Sequence, residues 1–213
     1  MNITILGSGK MARAIATRMV AGGNSVTLLD RDPAKAEALA QELVAQAKRG
    51  ATVRAAALGS PLADAVVVSA LFYRVAREVI DSYKDQLVDK ILVDISNPVN
   101  ATYDDLATPP GISAAEELAE IAKGARVVKA FNTTFAGLLA QGHVGGAPLD
   151  VFIAGDDVQA KATVTHLVEE GGQRVFDAGP LRRARQLEAL GLLNIVLQSS
   201  MAKPWMSSVK IVD

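Results

Sequence analysis

Asn2-Ile3-Thr4-Ile5-Leu6-Gly7-Ser8-Gly9-Lys10-Met11-Ala12 joins a run of strand length to a glycine-punctuated turn and the first residues of a helix. Gly7, Gly9 and Ala12 have the spacing G-x-G-x-x-A, and each small residue has its own physical reason. Gly7 permits the tight turn, Gly9 lets the backbone approach a pyrophosphate, and Ala12 lets helix and strand pack closely. The unpaired N–H groups and positive dipole end of the helix then favour phosphate. Two glycines in an ordinary strand-to-helix turn are the bland alternative. The strand before the motif and the helix after it decide for a dinucleotide site.

Outward from this stretch, short Val/Ile/Leu-rich runs alternate with longer segments of helical period. The pattern predicts strands at Asn2–Leu6, Ser25–Leu29, Thr52–Ala56, Ala65–Ser69, Ile91–Asp94, Arg126–Ala130, Asp150–Ala154 and Arg174–Asp177. Helices are predicted at Lys10–Ala21, Pro33–Lys48, Tyr73–Leu87, Ser113–Ala122, Asp157–Glu170 and Leu181–Met201. Alternating β and α elements with apolar strands imply a mainly parallel, doubly wound α/β sheet of the Rossmann type, with helices on both faces. Residues 1–213 read as one such domain, with 181–213 as a helical extension and tail. Asn97–Gly111 is the longest irregular stretch.

Composition narrows the function. Lys and Arg number 22 against 23 Asp and Glu, so no field exists to gather nucleic acid or an acidic membrane. The chain has no cysteine, which excludes disulfides, thiolate metal sites and a cysteine nucleophile. Half of the residues are hydrophobic, yet no apolar run nears the roughly 18 to 20 residues of a membrane span. The sequence enters its first strand without a basic segment or cleavage site, and a cytoplasmic protein is expected.

In a doubly wound sheet ligands gather at the carboxyl ends of the strands. Asp30 ends the second strand, where a carboxylate holds ribose hydroxyls and repels a 2′-phosphate. Arg31 follows, and its planar fork suits a phosphate monoester, with Lys35 one turn further on. NADP and NAD both remain open on these residues. Asp30 can also cap the next helix, although Asp32 is better placed. Ala70, Leu71 and Phe72 follow the fourth strand, where a small residue lets the cofactor backbone pass. Asn97 and Pro98 follow the fifth, with Asn97 able to bond a carboxamide or ribose; turn chemistry alone also accounts for the pair.

Three later segments sharpen the reading: Val127-Val128-Lys129-Ala130-Phe131-Asn132-Thr133, then Ala154-Gly155-Asp156-Asp157, then Asp177-Ala178-Gly179-Pro180-Leu181-Arg182. Their order behind the glycine motif resembles the NADPH-dependent coenzyme F420 reductases, and is similar to the cytoplasmic domain of the STEAP metalloreductases. That resemblance covers essentially the whole chain. It implies an oxidoreductase that passes hydride directly between NADP(H) and a deazaflavin or flavin-like acceptor, with no catalytic acid or base. The two histidines, the lack of cysteine and the lack of a carboxylate pair at an expected strand end agree with it. The same resemblance implies Ser8, Lys10 and Met11 along the pyrophosphate, Arg31 at the 2′-phosphate, and Asn132, Thr133 and Thr134 at the acceptor ring. Phe135 would narrow the acceptor pocket. The archaeal enzymes of this pattern carry His where Asn132 stands, Pro where Phe135 stands, and a small neutral residue in place of Asp30.

Other features have weaker claims. His143 lies in a glycine-rich loop and reads as an exposed loop histidine, and His166 as structural. Arg182, Arg183 and Arg185 begin the last helix, where cations oppose the dipole, so either an acidic ligand tail or solvent is their partner. Trp205, in the apolar tail Met201–Val212, packs across the cofactor mouth or onto a second subunit, and a homodimer is expected. No metal site is expected. Two other functions remain open: a dinucleotide-binding sensor without turnover, and an imine reductase. Gly7-Ser8-Gly9-Lys10-Met11-Ala12-Arg13-Ala14-Ile15 also resembles the opening of pyrroline-5-carboxylate reductases, which carry a longer helical C-terminal dimerisation domain.

Overall fold

The computed structural model describes residues 1–48, 50–202 and 204–212. The chain runs β1 (Asn2–Leu6), α1 (Lys10–Ala21), β2 (Ser25–Asp30), α2 (Pro33–Val44), β3 (Val53–Ala57), β4 (Val66–Ser69), α3 (Tyr73–Tyr83) and β5 (Ile91–Asp94). It continues through α4 (Ala114–Ile121), β6 (Arg126–Lys129), α5 (Ala136–Gln141), the hairpin β7 (His143–Val144) and β8 (Ala147–Pro148), and β9 (Asp150–Gly155). Helix α6 (Val158–Glu170), β10 (Arg174–Asp177) and α7 (Ala184–Val196) complete it.

Eight strands form one sheet in the order β3-β2-β1-β4-β5-β6-β9-β10. The first six are parallel, with Ile5 of β1 facing Leu28 of β2 and Val68 of β4. Because parallel neighbours need helical crossovers, the sheet is covered on both sides. Alternation along β4 divides the core. Val66 and Val68 pack with Ile15, Met19, Leu39 and Val164 on one face. Val67 packs with Ile80, Tyr83, Leu118 and Leu181 on the other. The glycine motif stands at the switch point, where the strand order reverses between β1 and β4.

Side-chain caps start several helices, and that of α2 is the one expected from the sequence. Asp32 caps α2 by accepting from the Ala34 amide at 3.2 Å. Ser113 and Glu116 form a reciprocal capping box on α4. Glu116 also takes Arg185 in a two-point pair, with Nε at 2.8 Å. That guanidinium is the main reason the Glu116 pKa falls to about 2. The partner of Arg185 is therefore this capping carboxylate.

Several boundaries differ from the sequence reading. Helix α2 ends at Val44 rather than at residue 48, and α3 gives way to a 3-10 turn at Lys84–Gln86. The final helical run has 3-10 turns at Leu181–Arg183 and Leu197–Ser200 around α7. Helix α5 and the β7–β8 hairpin were not expected, since six and two residues are too short to show a period. Strands β9 and β10 are parallel to each other, but β9 is antiparallel to β6, which reverses both against the other six. No helix among the described residues is long and apolar enough to cross a membrane.

Candidate active site

One cavity of about 720 Å³ opens at the carboxyl ends of β1, β2, β4, β5 and β6, within the size range of ligand sites. Gly7, Ser8, Gly9, Lys10 and Met11 line one end, with Asp30 and Arg31 beside them. Ala70, Leu71, Phe72 and Asn97 follow along its wall. Asn132, Thr134, Phe135 and Trp205 form the other end. Three residues expected at the site lie outside this lining. Lys35 is exposed and stands 3.6 Å from the Asp32 carboxylate. Pro98 is buried in its loop. Thr133 is buried, and its carbonyl accepts from Asn194 Nδ2 at 3.1 Å. His143 and His166 are also outside it; His143 bonds its own loop at Gln141, and His166 sits 3.2 Å from Glu170.

The glycine loop has the form a pyrophosphate needs. Gly7 has φ +102°, and a Cβ there would stand 2.9 Å from the Ala70 carbonyl, so both conformation and space demand glycine. At Gly9 a Cβ would meet no protein atom within 4 Å; the space beside it is cavity. Gly9 caps α1 without a side-chain bond, and the first turn of that helix carries no acidic residue. Its amides are thus left for an anion.

Asp30 does not stand free at the end of β2. One carboxylate oxygen accepts from the Ser8 amide at 2.8 Å and the Ser8 hydroxyl at 2.7 Å, and the other from the Asp32 amide at 2.9 Å. Burial acts to raise its pKa, but these bonds from Asp32 and Ser8 outweigh it and the group lies below its ordinary value. Asp30 therefore braces the glycine loop as an anion. Arg31 is exposed at the cavity edge and makes no hydrogen bond or ion pair with a described residue.

The opposite end is aromatic and amide-rich. Five of the nine aromatic side chains line the cavity: Phe72, Tyr103, Phe131, Phe135 and Trp205. Trp205 meets Phe135 edge to face, with centroids 5.1 Å apart. The tail that carries it returns from α7 across the cavity: Ser208 bonds Thr134 at 2.8 Å, and the Ile211 amide bonds Asp150 at 2.7 Å. Asn97 and Asn132 interlock below, each amide nitrogen donating to the other residue at 2.8 and 2.9 Å. Tyr103, Phe131 and Ser96 were not singled out in the sequence. They sit in irregular stretches, where no periodic signal gives a side chain's direction.

A carboxylate pair does stand at a strand end, contrary to the sequence expectation. Asp94 closes β5 and Glu188 reaches it from α7, with the Lys129 ammonium between them at 2.7 and 2.8 Å. All three side chains are fully buried. Lys129 also donates to the Ser96 carbonyl. Desolvation opposes its charge, but the two carboxylates prevail and its pKa is raised. Burial is also the first cause that pushes Glu188 up. The cluster lies beneath the cavity and pins α7 to the strand ends. Its signal in the sequence was Glu188 itself, a charge on the same helix face as Leu187, Gly191 and Asn194, which are buried.

Comparison with known proteins agrees with this geometry. Residues 2–98 match the family model described as NADP oxidoreductase, coenzyme F420-dependent. The chain is 30% identical over 208 residues to the F420-dependent NADP reductase of Methanocaldococcus jannaschii, covering 92% of each. It is 36% identical over 190 residues to the metalloreductase STEAP3 of Rattus norvegicus; the match takes 89% of this chain but about a third of that protein, 36%. The crystal structure of a putative F420-dependent NADP reductase from Arthrobacter sp. FB24 superposes with a TM-score of 0.83 at 30% identity, over 100% of both chains. The chain belongs to the family of coenzyme F420-dependent NADP oxidoreductases.

Proposed function

We propose that this protein transfers hydride between NADP(H) and a flat deazaflavin acceptor, coenzyme F420 in the first place and a flavin in the second. One observation carries the reading: a single cavity has a phosphate-binding end and an aromatic, amide-lined end. Nicotinamide and deazaflavin supply the redox chemistry when bound; the protein supplies placement. Lys10, Asp30 and Arg31 all belong to the phosphate end, while Asn132, Thr134, Phe135 and Trp205 offer no carboxylate, imidazole or ammonium. Rate enhancement then comes from holding donor and acceptor carbons at attack distance. Loss of oxidised F420 absorbance on mixing with NADPH and catalytic protein tests this, with FAD and FMN run beside it. NADPH binding without reduction of the deazaflavin would overturn the acceptor.

Asp30 and Arg31 favour NADP over NAD. With three bonds from Ser8 and Asp32 already on its carboxylate, Asp30 has little capacity left for ribose, and the unpaired Arg31 is left for the 2′-phosphate. Losing a hydrogen bond to a charged group amounts to about 1.5–3 kcal/mol. Arg31→Ala is therefore expected to weaken NADPH by about 10- to 100-fold and NADH little, as read by fluorescence titration. Equal losses for both would refute the assignment. The setting proposed with this activity is a cytoplasmic homodimer, with the exposed row Leu193, Val196 and Leu197 as its apolar surface; a monomeric mass in solution would oppose it.

A further inference from the structure

Three aromatic rings line the cavity with at least half of their surface open: Phe72 is 84% exposed, Tyr103 55% and Trp205 52%. Trp205 leans on Phe135. Tyr103 has no such neighbour, and its ring and hydroxyl make no hydrogen bond or ring contact with a described residue. Its backbone is also out of the ordinary. Among the described residues the non-glycine positions with positive φ are Asp89, Tyr103, Phe131 and Trp205, and the three aromatic ones all line the cavity. At φ +60° Tyr103 occupies the left-handed region, which glycine and asparagine enter readily and a bulky residue rarely does. Phe131 is 3% exposed, so packing holds its ring. No comparable burial accounts for Tyr103.

The turn that carries Tyr103 is fixed from both sides. Asn100 Nδ2 and the Thr102 hydroxyl donate to Asp104 Oδ1 at 2.7 and 2.6 Å. The Asp104 amide donates back to Asn100 Oδ1 at 3.2 Å, and the Tyr103 amide to the Asn100 carbonyl at 3.3 Å. The bonds from Thr102 and Asn100 hold Asp104 below the ordinary carboxylate pKa, and Asp105 follows it. Two carboxylates beside the ring do not draw in phosphate, which has Lys10 and Arg31 elsewhere in the cavity. Backbone strain that packing does not account for gathers at ligand sites. We propose that Tyr103 is a binding residue that lays its ring on the face of the acceptor, so that the loop between β5 and α4 selects a flat aromatic ring. This rests on the function proposed above and adds a residue to it.

Equilibrium dialysis with oxidised coenzyme F420 and with FMN tests this without turnover, and NADP⁺ serves as the control ligand. Tyr103→Asn removes the ring but suits the left-handed backbone, so its melting temperature is expected to match that of the unaltered protein. Its affinity for the ring ligand is expected to fall about 10-fold, the factor for losing one stacked ring, with NADP⁺ bound as before. Tyr103→Phe keeps the face of the ring and is expected to bind as the unaltered protein does. Unchanged affinity in Tyr103→Asn, a loss that falls on NADP⁺ instead, an equal loss in Tyr103→Phe, or a lower melting temperature in Tyr103→Asn each overturns the proposal. An unaltered protein that binds neither F420 nor FMN overturns the acceptor reading, and this inference with it. Binding that is indifferent to Tyr103 overturns the inference alone.

Discussion

Gly9→Val is expected to abolish binding of NADPH and NADH alike while leaving the fold intact. The two halves of that expectation have separate causes. Gly9 has an extended backbone with φ −73°, which valine adopts freely. A Cβ at this position meets no protein atom within 4 Å, so the added side chain fills cavity and displaces nothing. The space it takes is where phosphate would approach the α1 amides, and a branched side chain there holds the anion off the helix terminus. A fall of at least 100-fold in both affinities, with an unchanged melting temperature, is the expected pair of results; losing contacts worth about 3 kcal/mol gives that factor. Undiminished binding would mean that the dinucleotide does not use this loop. Gly7 is the contrasting position, since its φ of +102° and the Ala70 carbonyl make any side chain there a folding problem first.

Lys129→Met is expected to destabilise the protein by about 3–5 kcal/mol, the range for breaking a buried ion pair from one side. Lys129 is the only cation within reach of Asp94 and Glu188 among the described residues, and none of the three side chains touches solvent. Methionine fills the volume but leaves two buried carboxylates facing each other. For a chain of this length the loss corresponds to a fall of roughly 10 °C in thermal unfolding. Adding Glu188→Gln to Lys129→Met should restore part of it by removing one of those charges. A change of only a degree or two in the single variant would show that the cluster is not the dry, charged arrangement described here.

Much of the fold was legible because the glycine motif and the strand runs carry local signals. The predicted strands lie within one or two residues of those observed, since apolar runs of four to six residues bounded by turns leave little choice. What escaped detection depended on distance. The reversal of β9 and β10 shows only in the antiparallel pairing of β9 with β6, which no residue type announces. Lys129, Asp94 and Glu188 come from three elements up to 94 positions apart in numbering, and only the fold makes them neighbours. At the site, the loop from Gly7 to Met11 was readable as residues that line one end of the cavity. Asp30 was readable as a residue type but not as a role, because its partner Ser8 lies 22 residues away. Thr133 and Thr134 differ for the same kind of reason: they are adjacent in a stretch without period, and only Thr134 reaches the cavity.

The returning tail divides access to the cavity unequally. Among the described residues its hydrogen bonds and ring contacts go to Thr134, Phe135, Pro148, Asp150, Arg174, Asn194 and Gln198, and none of these belongs to the glycine loop. Met201, Met206, Ile211 and Val212 remain exposed, so little apolar area resists lifting this segment away while the sheet stays whole. The proposed dinucleotide would reach Gly7–Met11 with the tail in place, whereas the proposed acceptor would pass Trp205 and Phe135. On the proposed function, exchange of an acceptor at the aromatic end would wait on a local opening of this tail, and the pace of turnover would be set there without altering the chemistry of the ring.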